Sequence, residues 1–248
     1  MSGHNRWSKI KRKKEAQGSA KGKLFTKLIK EITVAARLGG GDPNGNARLR
    51  AAVDAARDAN MPSDNILRAV KKGTGELQGV SYEEAVYEGY GPGGMAILVE
   101  CLTDNRNRTA GDVRSTLTKG GGHLAAEGAV AWMFEKRGVI EVKPGPTEDQ
   151  VVEAAIEAGA EDVVAVGADG FEVRTQPGEL HPVAASLERR FALGGRKVAW
   201  LPKSTVKIQD PDHARSMLKL VDLLDELDDV QEVHANFEIE DRLLEQLA

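Results

Sequence analysis

A chain of 248 residues with 29% charged, 41% hydrophobic and only 4% aromatic side chains exceeds one ordinary domain and must build its cores mainly from Ala, Val, Leu and Ile. Its lone cysteine, Cys101, excludes an intramolecular disulfide framework and a multi-cysteine zinc site. No apolar run approaches the roughly 18 residues of a membrane span. The net charge of −4 conceals an asymmetry, because residues 1–75 hold 17 basic and 6 acidic side chains (+11) while the rest hold 17 and 32 (−15). A basic head on an acidic body suits a protein that meets a polyanion with one end only.

The head begins with an arm that cannot form a core. Arg6, Lys9, Lys11, Arg12, Lys13, Lys14, Lys21, Lys23, Lys27 and Lys30 face a single acid, Glu15, among the first thirty residues. His4 and Trp7 sit beside them. Such a segment makes many phosphate contacts and offers one large ring for stacking on a base. Leu24, Phe25, Leu28, Ile29, Ile32, Ala35, Ala36 and Leu38 then recur at three- and four-residue spacing, which predicts an amphipathic helix ending at Gly39-Gly40-Gly41. A second helix carries Leu49, Ala52, Val53 and Ala56 inward, with Arg48, Arg50 and Arg57 off that face. After Asn60-Met61-Pro62, a third carries Ile66, Leu67 and Val70, with Lys71 and Lys72 in its last turn and Gly73 as its stop.

From residue 77 the period changes. Ala85–Tyr90 and Met95–Leu102 read as antiparallel strands around Gly91-Pro92-Gly93-Gly94. Arg106–Lys119 reads as a helix and Ala129–Phe134 as a strand. Val139–Val142, Glu148–Ala158, Asp162–Val166, Phe171–Thr175, Leu180–Leu193 and Lys197–Leu201 give strand, helix, strand, strand, helix, strand, the ferredoxin-like order. Thr205–Ile208, Asp212–Leu227 and Val233–Ile239 repeat half of it. The expected fold is therefore α+β with three domains: an N-terminal three-helix domain, then two ferredoxin-like β-α-β-β-α-β domains, one inserted in the other. The boundaries are 1–76, then 77–136 plus 203–248, with 137–202 inserted.

No catalytic pattern emerges. Gly89-Tyr90-Gly91-Pro92-Gly93-Gly94 matches G-x-G-x-x-G, but a strand follows where a helix must receive the pyrophosphate. Residues 18–24 resemble a P-loop one residue short, with Leu24 in place of the magnesium-binding hydroxyl. The five histidines lack close ligand spacing, so no metal or cofactor is expected. Asp222, Asp225, Glu226, Asp228 and Asp229 read as the solvated face of their helix or its end. Asp104-Asn105-Arg106-Asn107-Arg108-Thr109, at a strand-to-helix junction, reads equally as a phosphate contact through Arg106 and Arg108 or as a capped helix start with salt bridges.

The chain resembles the YebC family, whose mitochondrial branch contains a translational activator of cytochrome oxidase subunit I. Gly3-His4 through Trp7, the basic run to Lys14, residues 22–27 and 35–43, Asn60-Met61-Pro62 and Lys72-Gly73-Thr74-Gly75 carry the likeness in the head. Residues 87–94, 104–109, 132–140, Asp228-Asp229-Val230-Gln231 and Asn236 carry it in the body. The resemblance implies three α+β domains and a non-enzymatic role in gene expression. That role is either DNA-binding transcriptional regulation or ribosome-associated help to translation, including through proline-rich stretches, by binding ribosomal or transfer RNA. A third possibility from the residues alone is a protein–protein adaptor acting through the acidic body. Family residues starting at Gly3 imply a cytoplasmic protein of bacterial type without a presequence, and a monomer is compatible with all of this. The expected nucleic-acid contacts are His4, Arg6, Trp7, Lys9, Lys11, Arg12, Lys13, Lys14, Lys21, Lys23, Lys27, Lys30, Arg48, Arg50, Arg57, Lys71, Lys72, Arg106 and Arg108.

Overall fold

The computed structural model describes residues 19–240 and Leu243. Three helices come first: α1 (Ser19–Gly39), α2 (Ala47–Asp58) and α3 (Ser63–Thr74). Their apolar stripes converge on one core that includes Ile32, Ala36, Leu49, Val53, Met61 and Ile66, flanked by Phe25, Leu28 and Ile29. Leu24, Leu38 and Leu67 fit the spacing yet stay 46%, 61% and 53% exposed. The first two sit near the ends of a 21-residue helix whose partners have only 12 residues each, so α1 outruns what covers it. Leu67 is turned about 100° away from the buried Ile66 beside it.

One side chain organises the first helix junction. Asn46 Nδ2 donates to the carbonyls of Ala35 and Gly40 at 2.8 and 2.9 Å, while its Oδ1 accepts from the Leu49 amide at 3.0 Å. It thereby satisfies the end of α1 and caps the start of α2. Asn60 makes the next turn at φ 58°, a left-handed conformation that asparagine tolerates better than most side chains. The expected stop at Gly73 moves to Gly75, at φ 85°. Gly73 lies inside α3 where it crosses α1. A Cβ there would run into the Thr33 carbonyl oxygen and lie 2.7 Å from Ala36 Cβ.

Next comes an antiparallel hairpin, β1 (Glu83–Tyr90) and β2 (Ala96–Thr103), followed by α4 (Arg106–Lys119) and a two-residue strand β3 (His123–Leu124). The expected strand Ala129–Phe134 does not form. The carboxylate of Glu88 on β1 accepts from the amides of Gly128, Val130 and Ala131 at 2.6, 2.6 and 2.8 Å. Those N–H groups are thus consumed by a side chain instead of a neighbouring strand, and a 3₁₀ turn follows at Ala131–Met133.

Strand β4 (Phe134–Val142) then leads into α5 (Glu148–Ala158), β5 (Asp162–Ala165), β6 (Phe171–Thr175), α6 (Leu180–Leu187) and β7 (Leu193–Pro202). The sheet is antiparallel throughout with order β5-β6-β4-β7, as in ferredoxin-like units. Helix α6 ends six residues before its expected limit, because Leu193 pairs with Val142 and that end of the segment joins the sheet. The chain closes with β8 (Val206–Ile208), α7 (Pro211–Asp225), β9 (Val230–Ala235) and β10 (Phe237–Ile239). One sheet runs β3-β1-β2-β9, and β8 and β10 form a separate parallel ribbon. Their core gathers Ile97, Val99, Leu117, Met217, Leu220 and Phe237. Residues 132–205 form one compact unit; the described residues on either side of them form another.

Candidate nucleic-acid interface

Of the contacts expected from the sequence, His4, Arg6, Trp7, Lys9, Lys11, Arg12, Lys13 and Lys14 lie outside the described residues. The remainder fall into two sets. Lys21, Lys23 and Lys72 are exposed, and Arg50 and Lys71 are half-buried. None of these five has an acidic partner among the described residues. Lys21 Nζ lies 5.5 Å from the centroid of the Phe25 ring. Arg57 makes only an exposed pair with Asp54, at 3.4 Å, of a kind that contributes little. Arg37 and Arg68, which the sequence reading passed over, belong with this set. Both are exposed and lack an acidic partner among the described residues; Arg37 donates to Ser81 Oγ at 2.6 Å. Arg68 was detectable in principle, because it precedes Lys72 by four residues and so shares its helix face.

The second set turns inward onto the acidic body. Lys27 Nζ lies 2.8 Å from Asp225, and Lys30 Nζ lies 2.8 Å from Asp229. Lys30 is only 6% exposed and also donates to the carbonyls of Leu102 and Asp228. Arg48 bridges Glu31 and Glu84, both at 2.7 Å, which raises its pKa through the hydrogen bond to Glu31 against the opposing effect of burial. Helix α1 is therefore fastened to the α7–β9 corner by its own lysines.

Asp229 is the hub of that corner. Besides Lys30 it accepts from Arg108 at 2.6 Å, Thr109 at 2.7 Å and Thr103 at 3.3 Å. Burial pushes its carboxyl up, but the hydrogen bonds from Arg108, Lys30 and Thr109 outweigh this and hold it at about 2. Asp225 and Asp229 thus correct the reading of the acidic run as a solvated face: they are counter-ions of the helical domain. The Asp104–Thr109 segment is engaged in the same way. Asn105 caps α4 by accepting from the Arg108 amide at 3.1 Å. Arg108 also bonds Asp104 at 2.7 Å, and Arg106 donates to the Glu84 carbonyl at 2.9 Å.

The glycine turn before β2 serves packing. A Cβ at Gly91 would lie 2.7 Å from Met217 Sδ, and one at Gly89 would lie 2.8 Å from the His123 carbonyl. Cys101 is buried, and burial first, then Asp229, pushes its thiol up to about 12. One grouping was invisible in the sequence. Cross-strand pairing places Glu100 opposite Glu232, His234 Nε2 sits 2.9 Å from Glu100, and donor atoms of all three lie within 4.8 Å of one another. Neither carboxylate is free.

A basic three-helix domain fastened by its lysines to an α+β body defines the architecture. Residues 5–76 match the family model described as the TACO1/YebC protein N-terminal domain, and residues 82–237 match the TACO1/YebC second and third domain. The chain belongs to the TACO1/YebC family. It is 64% identical, over its whole length and 99% of the relative, to a probable transcriptional regulatory protein of Myxococcus xanthus. A probable transcriptional regulatory protein of Geobacter sulfurreducens is 55% identical over the full length of both chains. The crystal structure of a conserved hypothetical protein from Aquifex aeolicus superposes with a TM-score of 0.83 at 50% identity, covering 90% of this chain and 92% of that one.

Proposed function

We propose that the protein is a non-enzymatic regulator of gene expression that binds nucleic acid through its basic arm and the open cationic surface of its helical domain. The observation that carries this reading is the division of cations. Acids of the body pair with Lys27 and Lys30, and Glu31 of α1 together with Glu84 of the body pairs with Arg48, whereas Lys21, Lys23, Arg37, Arg50, Arg68, Lys71 and Lys72 have no acidic partner among the described residues. Unneutralised cations spread over one small domain are an electrostatic footprint of phosphate binding. The names of the relatives, probable transcriptional regulatory proteins, point the same way. The pair α2–α3, two 12-residue helices joined by four residues, has the layout of a helix-turn-helix but no cation in the first turn of its second helix. A recognition helix contacts bases with its N-terminal residues, whereas the cations of α3 lie beyond its first turn, Arg68 midway and Lys71 and Lys72 in the last turn.

Backbone contacts of this kind serve promoter DNA and ribosomal RNA alike. Because the open cations among the described residues suit backbone contact, the second reading, a translation factor on RNA, has its place beside transcriptional control. Crosslinking in cells followed by sequencing of the bound nucleic acid separates them: enrichment of promoter DNA supports one, ribosomal or transfer RNA the other. Recovery of neither overturns both. Reversing Lys11, Arg12, Lys13 and Lys14 to glutamate is expected to abolish the crosslinks while circular dichroism stays unchanged.

A further inference from the structure

We propose that a small cleft between α1, α3 and the segment entering β1 is a binding site for a phosphoryl group. Thr33, Arg37, Lys72, Gly79, Ser81 and Tyr82 line it, and its volume is about 90 Å³. That is several times the roughly 10–15 Å³ a single water needs. It admits a tetrahedral anion and leaves an attached sugar and base outside. The source expected for the group, a nucleic-acid backbone, rests on the functional reading above; the site itself rests on the cleft.

Two cations meet here from different helices. Arg37 stands in the last turn of α1 and Lys72 in the last turn of α3. A cation in either last turn alone is favoured by the helix dipole. Both line one cleft, with no acidic partner for either among the described residues, so the cleft carries two positive charges that an anion can offset. The Gly73 crossing fixes how closely the helices approach, because any Cβ there would force them apart. Arg37 spends one N–H on Ser81 Oγ, which anchors the guanidinium and leaves its other donors for an acceptor. The aliphatic stem of Lys72 lies against Gly79, where a Cβ would come within 3.1–3.3 Å of Lys72 Cβ, Cγ and Cδ. The amides of Gly79, Val80 and Ser81 make no backbone hydrogen bond to another described residue. Two cations from different helices, beside exposed amides not committed to the fold, around a phosphoryl-sized space are the parts of an anion site.

The test uses the full chain and two probes. Inorganic phosphate is titrated while the amide resonances of Gly79 and Ser81 are followed, and a labelled oligonucleotide is titrated by fluorescence anisotropy across a range of salt. In wild type, phosphate is expected to shift both amides, and Arg37→Gln with Lys72→Gln to remove the shift. The same double variant is expected to weaken oligonucleotide binding roughly tenfold and to lower the salt slope by about 0.7–0.9. Lys72→Arg restores binding, and Lys119→Ala, on the exposed end of α4, leaves it unchanged. Loss of the phosphate shift with unchanged oligonucleotide affinity keeps the site but assigns it to a free phosphorylated compound. Should wild type bind no oligonucleotide at all, the functional reading fails, and the phosphate titration still decides the cleft. Absence of any phosphate shift, with an oligonucleotide affinity the double variant does not change, overturns the site.

Discussion

Replacing Asp229 by Asn tests the corner that fastens the helical domain to the body. The substitution keeps shape but removes the charge facing Lys30, whose almost fully buried ammonium then keeps the carbonyls of Leu102 and Asp228, the Tyr82 ring at 5.3 Å and a neutral side-chain oxygen in place of the carboxylate. Breaking a buried pair by neutralising one partner costs about 3–5 kcal/mol. These remaining contacts argue for the lower end, about 3 kcal/mol. Urea unfolding at neutral pH reads this as a lowered midpoint at unchanged slope. Combining Lys30→Met with Asp229→Asn should cost less than the two single losses added, since the double variant leaves no orphaned ammonium. The pH dependence gives an independent check. The carboxyl sits at about 2 in the folded chain against an ordinary 3.8. Its contribution is therefore complete above about pH 4 and disappears as pH falls towards 2. Asp229→Asn should remove that portion of the acid destabilisation. A variant within 0.5 kcal/mol of wild type at neutral pH, or a parallel profile between pH 4 and 2, would refute the assignment.

Three further outcomes are expected. Gly73→Ala should destabilise by about 1–3 kcal/mol in thermal unfolding, against the roughly 1 kcal/mol gain that helix propensity alone gives, because its methyl would collide with the Thr33 carbonyl; a raised midpoint would contradict the close crossing. Glu88→Ala leaves the amides of Gly128, Val130 and Ala131 without their acceptor, so their hydrogen exchange should accelerate and stability fall by about 1–3 kcal/mol. Unchanged exchange at all three would show that the loop holds itself. The Cys101 thiol, buried and pushed up to about 12, should resist a thiol reagent at pH 8 until denaturant is added, and rapid stoichiometric labelling of the native chain would rule out that burial.

What the sequence could and could not disclose follows from the range of each interaction. Helical period and turn residues are local, so Arg106–Lys119 and Glu148–Ala158 emerge with the bounds expected for them. The Ala129–Phe134 stretch reads as a strand because its apolar content is local, whereas what prevents a strand is Glu88, forty residues upstream. The same limit governs the candidate interface. Composition reveals that Lys27 and Lys30 are cations, but not that Asp225 and Asp229, 198 and 199 residues away, fold against them. Spacing treats these two lysines as equal to Lys21 and Lys23. Only the tertiary fold divides lysines that hold the helical domain to its body from lysines left open to a polyanion. That division has a functional consequence. A protein using all its head cations for nucleic acid would lose its domain attachment whenever it bound. Because Lys30 is buried with Asp229 while Lys72 is exposed and lines one cleft with Arg37, the proposed binding and the attachment draw on different side chains. High salt should therefore release nucleic acid long before it loosens the buried pair, which is screened far less. Matched salt titrations of oligonucleotide affinity and of α1 amide exchange measure the two separately, and a common midpoint would show that one set of cations does both jobs.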